Sequence, residues 1–452
     1  MRLTSATILA SSVFLTAVST SYAEDILVEG GYVMTMDPGV GDLEQTDVLI
    51  KGGRIVAIGR GLKASTARRI QAKGAIVLPG FVDTHSHLYV TTMRGQFRNK
   101  EGQFFPVSSK LAGSMTPHDV ETAMHLGALK LISSGITTTA DFFDNVIGPA
   151  HGEVGLRALQ RSGIRGTLYY GGPDKTTKHP MNLDQLRSIA SRLDKSAQVG
   201  VGLAWRLPRN RTDARNWAMR QQEFDTANEL GLPIQVHVSG EPGPTLDALI
   251  EREYLYPNLT VVHAPDASAE QLRVLEAAGS SLAVTPISEQ RVGYGLTRFD
   301  QFALVSKQGL GIDGNSLAGS AEMFATMRLA SLTWSGGARS ETAPDARSLL
   351  ELATIGGAEV VGMASEIGTL SVGKRADLQI IRLDSLNLAG FGGGDPSALL
   401  VHSAHPSDVD TVIIGGRVVK IDGDLVDVDR PKLLQDAEGS ARALTSRVAE
   451  RD

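Results

Sequence analysis

Asp83-Thr84-His85-Ser86-His87 is the stretch of this chain with the clearest chemistry. It is entered through Leu78-Pro79-Gly80-Phe81-Val82, an apolar approach of the kind a buried strand makes. On an extended backbone residues i and i+2 point to the same side, so two imidazoles at a strand's end can bind one metal ion. Three more groups end later strand-like segments. His237 follows Ile234-Gln235-Val236, His263 follows Thr260-Val261-Val262, and Asp313 follows Leu310-Gly311-Ile312. There is no cysteine, so a metal must be held by nitrogen and oxygen. A set of imidazoles and a carboxylate without sulfur suits Zn²⁺, with Fe²⁺ as the competitor.

These residues need a frame that brings distant segments to one face. Eight strand-like segments run through the middle of the chain: Pro79–Asp83, Ile136–Asp141, Ile164–Tyr170, Gln198–Ala204, Leu232–Val238, Leu259–His263, Ser281–Thr285 and Gly309–Asp313. Helical patterns lie between most of them. Thr116-Pro117-His118-Asp119 opens one with an N-cap, proline at the first helical position and an acid in the first turn. Ser268-Ala269-Glu270-Gln271 is a capping-box pattern, and Gly279 ends that helix. Strands alternating with helices imply a parallel sheet, and eight such units imply a closed (β/α)₈ TIM-type barrel. The unit between strands seven and eight is the least regular. His85, His87, His237, His263 and Asp313 all fall at C-terminal strand ends, where the active sites of such barrels are built.

Both chain ends read as β structure. Ile26–Met36 and Val48–Ile58 are rich in valine and isoleucine, and similar material returns at Ala376–Leu383 and Val412–Lys420. Neither end is large enough to bury a core alone, so they are expected to pair into one small β-sandwich domain. The expected order is 24–78 for its first part, 79–366 for the barrel, 367–430 for its second part and 431–452 for a helical tail. Residues 1–23 read as a cleavable leader. Arg2 precedes the apolar run Ile8–Val18, and Ser21-Tyr22-Ala23 puts small residues at positions −3 and −1 before Glu24. The chain is therefore expected to be exported, periplasmic or secreted, with no membrane span in the mature protein.

The 452-residue chain is 42% hydrophobic, enough for a barrel plus a smaller domain. A formal net charge of −6 argues against nucleic acid as a partner. The expected partner is a small-molecule substrate, and the composition is compatible with a homo-oligomer. Strand four contains no lysine that could bridge two metals as a carbamate, which favours one divalent ion. Such an ion with an open position lowers the pKa of bound water to roughly 7.

The chain resembles the amidohydrolase superfamily, and within it the branch of cytosine, S-adenosylhomocysteine and guanine deaminases and triazine hydrolases. The resemblance rests on Leu-Pro-Gly-Phe-Val-Asp-x-His-x-His at 78–87, on Met93-Arg94-Gly95 and on Ser134-Gly135-Ile136-Thr137-Thr138-Thr139. It continues in Gly311-Ile312-Asp313-Gly314 and in the return Gly368-Thr369-Leu370-Ser371-Val372-Gly373-Lys374-Arg375-Ala376-Asp377-Leu378. It implies that His85, His87, His237 and Asp313 hold the metal. It also implies that His263 positions the attacking water and substrate, and that Asp313 takes the water's proton.

One departure matters. That branch carries glutamate three residues after the strand-five histidine, as the acid that protonates a ring nitrogen. Here that position is Gly240, with Glu241 one further on. Glu241 could take the role if the loop is bulged by one residue, which Gly240 permits. The first functional reading is therefore hydrolytic deamination of an N-heterocyclic amine. The alternatives are hydrolysis of an amide, cyclic amide, carbamate or ester, and a barrel that only binds metal or ligand. Tyr89, Arg94, Phe97, Trp205 and Glu289 are expected on loops facing the substrate.

Overall fold

The computed structural model describes residues 24–97, 102–173, 180–194, 196–208, 212–239 and 242–451, with the side chains of 242–244 excepted. The leader expected at 1–23 lies outside these residues, and so do Gly240 and Glu241.

Eight parallel strands form the barrel in sequence order: Phe81–Ser86, Ile136–Phe143, Arg165–Tyr170, Val199–Trp205, Ile234–Val238, Leu259–His263, Ser281–Val284 and Gln308–Leu310. Strand eight is the shortest. It returns to strand one through a parallel bridge between Ser86 and Asp313, with Asp313 N donating to His85 O at 2.8 Å. Closure also requires close approach. A Cβ at Gly311 would sit 2.9 Å from the backbone N and O of His85.

The helix Pro117–Ser133 starts with the expected capping box at Thr116 and Asp119, and Ala269–Ala277 with one at Ser268 and Gln271. The segment between strands seven and eight is irregular, as its pattern suggests: it holds two short helices, Pro286–Arg291 and Phe299–Phe302. Strands one to eight bury apolar side chains such as Val201, Leu203, Val236 and Val261 in one large core. A separate inner cluster of Ala140, Phe142, Tyr169 and Ala204 fills part of the barrel.

The chain ends form one nine-stranded sheet. Ala75–Pro79 stands at its middle, antiparallel to Leu378–Arg382 and parallel to Ile26–Met34. Here the strand boundary differs from expectation. Pro79, expected to open barrel strand one, belongs to this sheet, and that strand begins at Phe81. Gly80 makes the passage possible, since a Cβ there would collide with the Thr137 side chain. Val28, Val33, Ile50, Leu378 and Ile413 pack the sheet's own core.

The sheet is bolted to the barrel by a buried ion pair. Arg165 of strand three donates to Asp377 at 2.6 and 3.1 Å, with both side chains 2% exposed. The last helix, Arg430–Ala449, lies against Pro117–Ser133, where Ser440 donates to Asp119 at 2.6 Å.

Candidate metal centre

Strand parity aims His237 inward. Ile234, Val236 and Val238 belong to the outer core, so Gln235 and His237 face the barrel axis. By the same parity His263 would join Leu259 and Val261 on the outer side. Instead its backbone is left-handed, with φ 74, and Ala264 follows at φ 50. That turn brings the His263 ring centroid to 5.3 Å from His237 and 5.6 Å from His85. Asp313 is left-handed as well, with φ 60. Non-glycine residues held there cost energy that the surrounding structure must offset, a pattern concentrated at functional sites.

The ligand atoms converge. His85 Nε2 lies 3.2 Å from His87 Nε2, which lies 3.3 Å from His237 Nε2 and 3.6 Å from Asp313 Oδ1. Two overlapping groups, His85-His237-His263 and His85-His87-Asp313, each have their ligand atoms within 4.8 Å of one another.

Hydrogen bonds alone do not satisfy this cluster. Gln235 Nε2 donates to Thr84 O at 2.9 Å, which fixes the amide so that its Oε1 faces His85 Nδ1 at 2.9 Å. His85 Nδ1 therefore carries the hydrogen, and its Nε2 offers a bare lone pair. A single hydrogen on His87 Nε2 cannot serve three acceptors, whereas a cation can. A tetrahedral ion with arms of about 2.0–2.1 Å has edges near 3.3–3.4 Å, close to the spacings found. Burial, followed by the neighbouring His87, holds the His85 imidazole well below its ordinary pKa. His237 is lowered likewise, by burial and then His85 and His87. Both are thus in the neutral form that binds metal. Burial works against ionisation of Asp313, but His87, His263, His85 and the Ser288 hydroxyl outweigh it and hold the carboxyl below its usual range.

A buried layer fixes these groups. Asp83 accepts from Thr139 Oγ1 at 2.7 Å and from Ile312 N at 2.9 Å, tying strand one to both neighbours. Burial pushes its carboxyl up to about 7. Asp141 accepts from Leu88 N at 2.8 Å and is also pushed up to about 7 by burial. Asp144 Oδ1 stands 3.3 Å from His87 Nδ1, and its other oxygen is paired with Arg206.

Glu289 was expected to face substrate from a loop. It sits instead in the helix Pro286–Arg291, 1% exposed. Its Oε1 accepts from Thr285 N at 2.8 Å and its Oε2 from Thr297 Oγ1 at 2.6 Å. Oε1 faces His263 Nδ1 at 3.3 Å, with Thr285 Oγ1 at 3.0 Å from the same nitrogen. Glu289 therefore fixes His263 with Nδ1–H outward and Nε2 toward the cluster, 4.0 Å from Asp313 Oδ2.

The other substrate-facing expectations divide. Tyr89 is half-buried with its ring 6.0 Å from His87, beside the cluster. Arg94 turns back on its own loop, donating to Thr91 O at 3.2 Å. Phe97 is a core residue packed edge-on against Phe104 at 4.9 Å. Trp205 is corrected outright. It shares parity with Leu203 in the outer core, and its indole N–H donates to Arg220 O at 3.0 Å. The inward residue at that strand end is Arg206, in register with Ala204. Alternation along Leu203-Ala204-Trp205-Arg206 was the signal for it, as alternation around His237 was for Gln235.

The sequence model of the amidohydrolase family matches residues 76–419. Among curated relatives, a 5'-deoxyadenosine deaminase of Methanosarcina barkeri is 29% identical over 447 residues, covering 94% of this chain and 99% of that one. A 5-methylthioadenosine/S-adenosylhomocysteine deaminase of Desulforudis audaxviator is 28% identical, covering 94% and 100%. The fold is similar to that of a zinc-bound adenosine deaminase from Xanthomonas campestris, at a TM-score of 0.80 and 22% identity over 93% of this chain and 99% of that one. It is also similar to a zinc complex of atrazine chlorohydrolase from Arthrobacter aurescens, at a TM-score of 0.78 and 22% identity over 92% and 100%.

Proposed function

The chain belongs to the amidohydrolase family, and from that premise we propose that it removes an exocyclic amine from an N-heterocycle by hydrolysis at one divalent metal. The observation that carries this reading is the convergence of three Nε2 atoms beside Asp313, with one imidazole locked as a bare acceptor by Gln235. His85, His87, His237 and Asp313 are the proposed ligands. Zn²⁺ is the proposed ion, with Fe²⁺ as the competitor. Such an ion supplies a Lewis acid that makes water a nucleophile near neutral pH.

The chain's own residues manage orientation and protons. His263, with Nδ1–H directed at Glu289 and Thr285, presents Nε2 as an acceptor that orients the attacking water. Asp313 is held ionised and is the base that takes the water's proton. Its Oδ2 and His263 Nε2, 4.0 Å apart, bracket the place where that proton is exchanged. The relatives named as deaminases of adenosine analogues support a ring-amine substrate. The leader pattern of residues 1–23 extends the proposal to an exported enzyme, with Glu24 as the mature N-terminus.

Gly240 favours a second reading. Without a glutamate at that position, Asp313 and His263 alone would serve hydrolysis of an amide, cyclic amide, carbamate or ester. Metal analysis combined with ammonia release from 5'-deoxyadenosine, purines, pyrimidines and triazines decides between them. One equivalent of metal with ammonia from a ring amine is expected. Turnover of acyl substrates without ring deamination would move the assignment to the second reading, and a metal-free protein would remove both.

A further inference from the structure

We propose that a cavity beside the metal centre receives an apolar arm of the substrate ending in a carboxylate, and that Arg206 selects for it. The proposal rests on the hydrolase reading above and narrows its substrate class. The cavity, about 350 Å³, lies at the C-terminal ends of barrel strands three and four. Val146, Ile147, Pro149 and Met181 give it apolar walls. Among the described residues that line it, the charged ones are Arg206 and Arg220.

Their counter-ions stand behind them. Asp144, paired with Arg206, has a side chain 5% exposed. Glu223, 3.0 Å from Arg220, is 0% exposed. Neither carboxylate lines the cavity, so among the described residues the charge on its wall is guanidinium. Arg220 is built into the wall, with its side chain 7% exposed and its Nε buried without a hydrogen-bond partner. A guanidinium carries five N–H donors, of which one forked carboxylate takes two.

The cavity is also coupled to the metal centre. Asp144, the partner of Arg206, stands 3.3 Å from His87 Nδ1. The guanidinium carbon of Arg206 lies 5.8 Å from the Phe142 ring, whose centroid is 4.3 Å from His237. Arg206 is thus separated from His87 by one side chain, Asp144, and from His237 by one ring, Phe142, which places the cavity next to the candidate metal centre. A cationic arm would meet two like charges there. A wholly apolar arm would strip water from the guanidiniums and return no hydrogen bond. A carboxylate on an apolar stem satisfies both the walls and the donors.

The test is calorimetric titration of metal-loaded protein with 4-phenylbutyrate and with its neutral analogue 4-phenylbutan-1-ol. The carboxylate should bind roughly 10- to 100-fold more tightly. Arg206→Gln should abolish that preference while keeping the metal and the alcohol's affinity. Binding of neither probe, or equal binding of both, overturns the proposal. A preference undiminished in both Arg206→Gln and Arg220→Gln overturns it too, because the carboxylate would then sit on the metal. If Arg206→Gln fails to load metal, through the Asp144 contact to His87, Arg220→Gln decides by the same measurement. These titrations need no turnover. A carboxylate preference without hydrolysis of any C–N substrate would sink the hydrolase reading and leave the cavity's selectivity standing.

Discussion

Gln235 and His85 lie 150 residues apart in sequence and 2.9 Å apart in space, and their contact sets the tautomer of the first imidazole of the candidate metal centre. The glutamine is itself fixed by the Thr84 carbonyl, next to the histidine it orients. Strand five thus orients a proposed ligand of strand one as well as carrying a proposed ligand of its own, His237.

Gln235→Leu removes the acceptor and lets the His85 ring rotate. Metal affinity should fall by about 10- to 100-fold, as is usual when the partner of a liganding histidine is lost. Gln235→Glu keeps an acceptor for Nδ1 but loses the donor to Thr84, and should fall in between. Competition with a chelator of known affinity measures both. Wild-type affinity in the leucine variant would mean that packing alone orients His85.

Glu289 acts through His263, so its loss should appear in turnover and leave metal content intact. Glu289→Ala frees the ring to move by an ångström or more, and kcat should drop roughly 10²-fold with KM little changed. Glu289→Gln retains one oxygen and should recover part of the rate. A fall in metal content matching the fall in kcat would instead make His263 a metal ligand, which its place among His85 and His237 allows.

The fold and part of this site were legible in the sequence, for a physical reason. Barrel strands are apolar runs bounded by glycine and proline, and each candidate ligand ended such a run. The ends themselves were harder to read. His263 and Asp313 adopt left-handed backbone at the point where side-chain direction is decided, and no local pattern announces that. Trp205, expected on a loop facing the substrate, is the last residue of strand four. Parity sends it outward under the helix Ala214–Glu229 and turns Arg206 in. Glu289 was expected on a loop facing the substrate. Its role needs strand six and the segment after strand seven side by side, which is a fact of closure and not of local sequence.

The Arg165–Asp377 pair joins the barrel to the sheet of the chain ends, and Asp377 also accepts from Gly415 N at 2.6 Å. Asp377→Ala would strand a buried guanidinium and should cost about 3–5 kcal/mol. Replacing both partners by leucine removes the uncompensated charge and should cost less than the single change, despite the lost bond to Gly415. Urea denaturation of the three proteins at fixed metal concentration provides the comparison. A double variant at least as unstable as Asp377→Ala would contradict the charge-burial argument.

Glu223 gives a pH dependence whose sign follows from its burial. Desolvation raises its carboxyl to about 7, although Arg220 and the Met181 N–H pull the other way. Between the unfolded value, about 4.3, and 7, the folded chain binds a proton that the unfolded chain lacks. The contribution of Glu223 to stability is therefore fully present below the unfolded value and is lost as pH rises toward 7. Glu223→Gln does not titrate. Relative to the wild type its stability should rise with pH across this window, by on the order of 2–3 kcal/mol. Urea midpoints for both proteins at pH 5 and pH 8 test it, and the metal ligands, common to both, cancel in the difference. A difference that stays constant across the two pH values would show that Arg220 keeps Glu223 ionised in the folded state. The pair would then hold its full charge behind the cavity wall.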